Sequence, residues 1–263
     1  MADERTAASS RAGKKPTNAA GRGQPASLPG ERREIVLRGG RAPVESLAQR
    51  AARSIGTAIV RGAYKPGDTL PVESEICYSL GVGRNILREA VKILAGKGLI
   101  RTVRRAGTIV MPRAAWSLLD ADLLVWSLAE DDLKAPLEAD FVALRGAVAP
   151  AAAAAAAVRP SAGLVADLSV LVDEIEAAGS DRARSYAAEI RFIELLLAGC
   201  GNRAFAGLAT PLAVALAGAV PGRKRAAPAW RAVVTAVAAR NSEAAAAAMG
   251  ELVESARPSR PKG

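Results

Sequence analysis

YKPGDTLPVESEICYSLGVGRNILREAVKILAGKGLIRTVRRAGTIV, residues 64–110, spells two helices joined by a tight turn and then a basic β-hairpin. From Arg84 to Ala95, Leu87, Ala90, Val91 and Leu94 recur at i, i+3, i+4 and i+7 and share one helical face. Arg84, Arg88 and Lys92, four residues apart, share another, with Asn85 beside them. The apolar face packs this helix onto its own domain and the cations point outward. Leu80-Gly81-Val82-Gly83 reads as the turn before it, where glycine permits a sharp reversal. The preceding helix is expected to start near Leu70-Pro71, because proline suits a first helical turn. Glu73 and Glu75 then complement the helix dipole.

Beyond Gly98 the period changes. Leu99–Val103 and Thr108–Met111 read as strands, with Arg104-Arg105-Ala106-Gly107 as the turn. Such a wing, with Arg104 and Arg105 at its tip beside Gly107 and Thr108, suits a phosphate backbone or a minor groove. A run of cations alone reads as a solvated helix face. The turn before the run and the basic wing after it, all within about fifty residues, point to duplex DNA instead.

Charge is distributed accordingly. The 263 residues carry 36 Lys+Arg and 26 Asp+Glu, a net charge of +10. Residues 1–113 hold 21 basic against 9 acidic residues, or +12, and residues 114–263 hold 15 against 17, or −2. Residues 1–40 form a basic tail, and the first 34 show no apolar period and read as disordered. That tail either raises non-specific DNA affinity through counterion release or is a solubilising extension.

No signal peptide is expected, and the uncharged stretch 204–222, broken by Pro211, reads as a buried helix rather than a membrane span. Cys77 and Cys200 read as reduced core residues of a cytoplasmic protein. The chain has no histidine, and it lacks a Walker loop, a nucleophile elbow, zinc-ligand spacing and a Rossmann fingerprint. It is therefore not expected to be an enzyme or to carry a cofactor.

The C-terminal part reads as helices over 136–158, 161–178, 181–199, 202–219 and 228–256, rich in alanine and leucine. The seven alanines 151–157 favour helix and permit close packing. The expected organisation is a winged helix-turn-helix over 41–113, a linker over 114–135, an all-helical domain over 136–256 and a tail over 257–263. The fold class is mostly α with a small β-hairpin. Trp116, Leu118, Leu119, Leu123, Leu124 and Trp126 make the linker apolar, which implies docking rather than a free tether.

The head resembles the winged helix-turn-helix of the GntR transcription-factor family. The matching residues are Gly62-x-Tyr64-x-Pro66-Gly67-Asp68-x-Leu70-Pro71-x-Glu73, Gly81-Val82-Gly83-Arg84, Leu87-Arg88-Glu89-Ala90, and Gly98-Leu99-Ile100 with Gly107. The resemblance implies that Arg84 and Arg88 contact DNA, with residues near Asn85 and the wing glycine Gly107. Gly83 stands where the family usually has serine or threonine, and Ser74 stands near a usual arginine.

The layout over about 41–256 resembles the FadR branch of that family, whose helical ligand-binding domain is called FCD. Pro112-Arg113-x-x-Trp116-x-Leu118-Leu119-Asp120-x-Asp122-x-Leu124-x-Trp126 and Glu189-Ile190-Arg191-Phe192 carry this likeness. It implies a homodimer on a pseudo-palindromic operator, repression, and a small organic acid such as a sugar acid as effector. Arg145, Glu189 and Asn202 stand where the family places ligand-binding residues. Many FCD domains hold a divalent cation with an acid and several histidines. Here Ile193 stands one turn after Glu189, and Trp230 replaces another histidine, so no metal is expected. Glu189 is instead expected to be an ordinary helix residue paired with Arg145 or Arg191. A domain that has lost its ligand and serves only for dimerisation is the alternative.

Overall fold

The computed structural model describes residues 45–217 and 227–254. The basic tail, residues 257–263 and the expected helix ends at 218–219 and 255–256 lie outside the described residues.

The head begins with α1 (Leu47–Val60), which the sequence reading did not single out. Its start is a reciprocal cap: Gln49 N–H donates to Ser46 Oγ at 3.1 Å, and Ser46 N–H donates to Gln49 Oε1 at 2.8 Å. Ala51, Ala52, Ile55 and Ile59 turn inward. Next, α2 (Glu73–Leu80) starts two residues after Pro71, with Val72 as its cap residue. The expected start at Leu70-Pro71 is corrected because Leu70 is committed elsewhere. Its N–H donates to the Thr108 carbonyl at 2.8 Å, which ties the approach to α2 to the wing. Gly81 ends α2 at φ 62, a left-handed conformation that glycine adopts without penalty.

Helix α3 (Arg84–Gly96) follows at once and buries Leu87, Ala90 and Leu94. The hairpin is β1 (Ile100–Val103) antiparallel to β2 (Gly107–Val110), with Ile100 opposite Val110 and Val103 opposite Gly107. Strand β1 starts one residue later than expected and ends at Val103 as expected, whereas β2 lies one residue earlier at both ends, so Gly107 belongs to β2 rather than to the turn. Thr69 bridges Ile109 on the other side of β2. The head's core gathers Ile55, Ile59, Leu70, Leu87, Leu94, Leu99, Ile100 and Val110.

Within the expected linker, α4 (Ala121–Leu128) is capped by Asp120, whose side chain accepts from Leu123 N–H at 3.0 Å. It has a face in each core: Leu123 and Trp126 belong to the head's cluster, and Leu124 belongs to the cluster of the helical domain. Trp126 lies directly on α1, since a β-carbon at Gly56 would stand 2.4 Å from its ring.

The remaining described helices are α5 (Asp131–Val158), α6 (Ala162–Ala177), α7 (Arg182–Gly199), α8 (Arg203–Ala217), α9 (Ala227–Ala238) and α10 (Ser242–Glu254). Helix α5 starts five residues before the expected 136, because it tolerates Pro136 near its start. Its Ala149, Ala152, Ala153, Ala156 and Ala157 are buried, and α10 packs along it. By length and composition α5 is apolar enough to cross a membrane, yet Leu137, Phe141 and these alanines are packed inside the bundle. The expected single helix 228–256 is two helices. Arg240 takes a left-handed φ of 58, and the Asn241 side chain accepts from Ala244 N–H at 3.0 Å to start α10.

Candidate nucleic-acid interface

Because Leu87, Ala90 and Leu94 anchor α3, its opposite side faces solvent. Arg84, Asn85, Arg88 and Lys92 are all exposed on it. Their partners within the chain are weak. Arg88, 63% exposed, has Glu73 of α2 at 3.9 Å, and Lys92 pairs with its own helix neighbour Glu89 at 2.8 Å. Exposed pairs of this kind contribute roughly 0–1 kcal/mol, so a phosphate or a base edge can displace them.

The wing adds Arg104 and Arg105 at the hairpin tip, both exposed, with Gly107 exposed and Thr108 half-buried. Exposed Arg101 on β1, which the sequence reading passed over, adds a further cation to the same hairpin. Arg105 sits at φ 67, a left-handed conformation that costs a non-glycine residue about 1–2 kcal/mol. Glycine would be the natural choice there.

Behind α3 lies an ion pair that sequence reasoning also missed. Lys97 follows the last residue of α3 and is only 6% exposed. Its ammonium donates to Asp120 at 2.6 Å and to Asp122 at 2.8 Å, and lies 5.4 Å from the centre of the Trp126 ring. Burial lowers its pKa, but hydrogen bonds and charge from Asp120 and Asp122 outweigh this and hold it above the usual 10.5. A raised folded pKa stabilises fully below the ordinary lysine value and is lost only as pH rises through the raised one. Lys97 therefore stays charged across neutral pH.

In the helical domain, Arg145 on α5 and Glu189 on α7 are both buried, at 6% and 2% exposed. Glu189 is corrected from an ordinary helix residue to a core one. Arg182 Nη1 donates to its Oε1 at 2.9 Å, and Ser185 Oγ donates to the same atom at 3.2 Å. Arg191 instead pairs with Glu174 at 2.7 Å. Asn202 is exposed, and its oxygen is committed to the start of α8, accepting from Ala204 and Phe205 N–H at 2.9 and 3.3 Å. The three residues therefore do not share one surface: Asn202 caps a helix, while Arg145 and Glu189 sit inside.

The residues around Glu189 do not fit a divalent cation. A guanidinium already faces the carboxylate, Ile193 follows one turn on, and Trp230 packs edge-on against Phe192 at 4.9 Å. Among the described residues, no group of three or more His, Cys, Asp or Glu is placed to hold a metal. Cys77 is half-buried and Cys200 buried, both as free thiols.

A helix-turn-helix with an arginine-bearing outer face, a basic wing and a docked helical bundle defines a winged-helix protein with a separate helical domain. The chain belongs to the GntR family of bacterial regulatory proteins, matched over residues 47–110, and carries an FCD domain over 140–255. It is 37% identical over 149 residues to the galactonate operon transcriptional repressor of Escherichia coli K12, covering 57% of this chain and 65% of that protein. It is 35% identical over 133 residues to the HTH-type transcriptional regulator YieP of the same organism, covering 51% and 57%. The chain thus spans about three-fifths of the length of these relatives. A solved structure described as Lar, which controls the expression of the Listeria monocytogenes agr system, shares the fold. The TM-score is 0.50 at 19% identity, over 80% of this chain and 96% of that one.

Proposed function

We propose that the protein is a cytoplasmic, homodimeric repressor that binds operator DNA sequence-specifically and is released by a small organic acid. One observation carries the DNA reading: Arg84, Asn85, Arg88 and Lys92 stand exposed on the side of α3 opposite its buried Leu87, Ala90 and Leu94. A helix so mounted enters a major groove, where arginine grips guanine O6 and N7. Two-fold pairing places a second copy one helical turn along the duplex. This is a binding function and not an enzymatic one. Selection of duplexes from a random pool by the full chain tests it. Two inverted half-sites are expected, and a pool that never enriches overturns the reading.

The effector reading is supported by the relative named as a galactonate repressor and by the buried guanidinium of Arg145. Arginine forms paired hydrogen bonds to carboxylates. Calorimetric titration with galactonate and other aldonic acids is expected to show heat from at least one, and the same acid is expected to release bound DNA. Ile193, Phe192 and Trp230, all buried, favour a second reading in which the domain serves only to dimerise. No heat with any acid, from a chain that remains dimeric, selects that reading.

Arg105 offers a separate check. In Arg105→Gly the left-handed strain disappears, so the melting temperature is expected to hold or rise. DNA affinity is expected to fall about threefold or more, with a shallower salt dependence. Gel shifts at several salt concentrations, beside a thermal melt, read both. Unchanged affinity removes the wing tip from the interface.

A further inference from the structure

Lys97 is the unusual residue outside the DNA-facing surface: a buried ammonium at the C-terminal end of the recognition helix, bound to two carboxylates of the next domain's approach. The contacts around it are directional. Ser117 N–H donates to the Lys97 carbonyl at 3.0 Å, so backbone and side chain of one residue both hold the segment that leads into α4. Asp120 serves twice, capping α4 through Leu123 N–H and accepting from Lys97. The ammonium sits at the negative end of the α3 dipole and the two carboxylates at the positive end of the α4 dipole. The two helix ends are thereby joined charge to charge.

Apolar contacts could hold α4 here at no less stability, since a buried ion pair gains little over well-packed hydrophobic side chains. What the ion pair adds is a fixed angle. Helix α4 in turn packs against α5 and α8 of the helical domain and places Leu124 in their core. The direction of α3 is therefore referred through α4 to the helical domain.

We propose that Lys97, with Asp120 and Asp122, is a positioning lock that fixes the angle of α3 to the helical domain and so sets the half-site spacing the dimer accepts. The lock rests on the operator-binding reading and deepens it. Lys97 is buried and its two partners are carboxylates, so none of the three offers DNA an exposed cation, and base recognition by a single head does not depend on them.

The test uses the full chain with Lys97→Met, Asp120→Asn and Asp122→Asn. Methionine keeps an apolar stem on Trp126. Asparagine caps a helix as well as aspartate does, so Asp120→Asn removes charge and keeps the cap. Asp122 is 68% exposed in its side chain, so Asp122→Asn folds even if the buried variants do not. The probes are the selected operator, the same operator with its half-sites moved apart or together by one or two base pairs, and one isolated half-site. The variants are expected to bind the isolated half-site within about twofold of wild type. Their discrimination between correct and altered spacings is expected to drop about fivefold or more. Variants that keep the wild-type spacing profile overturn the lock, as do variants that lose half-site and operator binding in equal proportion. If the wild-type chain itself enriches no paired sites, the operator-binding reading fails first, and the lock with it.

Discussion

Gly98→Ala is expected to lower the melting temperature by about 5–10 °C, corresponding to roughly 3 kcal/mol for a folded unit of this size. Two costs combine. Gly98 has φ +75, where an alanine is strained by about 1–2 kcal/mol. Its β-carbon would also stand 2.1 Å from the Ala115 carbonyl oxygen, which belongs to backbone and cannot swing aside. Overpacking of this kind typically costs about 1–3 kcal/mol. Gly96, two residues earlier at the end of α3, has nothing within 4 Å of the same position. Gly96→Ala is therefore expected to be neutral or to stabilise by up to about 1 kcal/mol. Thermal melts of the two variants should move in different directions. Equal melts would mean that the seam between α3 and the 113–116 turn is not closed as described.

The second large effect falls on DNA and leaves the fold alone. Arg84→Ala and Arg88→Ala remove exposed side chains that face away from the buried side of α3, so their melts should match wild type. On the selected operator, each loss of a paired contact to guanine weakens binding by about 1–3 kcal/mol, or roughly 5- to 150-fold. Base choice should relax at one position of each half-site. Lys92→Ala, by contrast, is expected to weaken all sequences alike and to reduce the salt slope by about one. Repeating the selection with each variant separates the two behaviours. Unaltered base preference in both arginine variants would end the assignment of α3 as the reading helix.

Helix α3 was legible because its apolar residues keep a strict period and its cations fall between them. The wing was legible in kind, with three of its four strand ends one residue off, since strand ends depend on hydrogen bonds that composition does not encode. Helix α1 escaped notice although Ser46-x-x-Gln49 is a capping box in plain sight. The break between α9 and α10 carried no such signal: Arg240 takes the left-handed conformation that a glycine would have announced. Glu189 was expected beside Arg145 or Arg191, yet Arg182 lies seven residues before it, two turns up the same face of α7. That spacing was available. Lys97 was not, because its carboxylates lie 23 and 25 residues further on and only the docking of α4 brings them near. Lone lysines between two glycines, as at Gly96-Lys97-Gly98, ordinarily sit in water.

The two family matches stop at residue 110 and resume at 140, as though the stretch between were a tether. With Trp116, Leu123 and Trp126 seated in one hydrophobic interior and Leu124 in the other, no cut there leaves both pieces clean. A head excised at 113 loses the indoles that seal its underside, and one extended to 128 carries a bare leucine meant for the bundle. Exchange of heads between related regulators, in the laboratory or by recombination, therefore succeeds only when the graft brings its own α4 together with a bundle surface shaped to receive it.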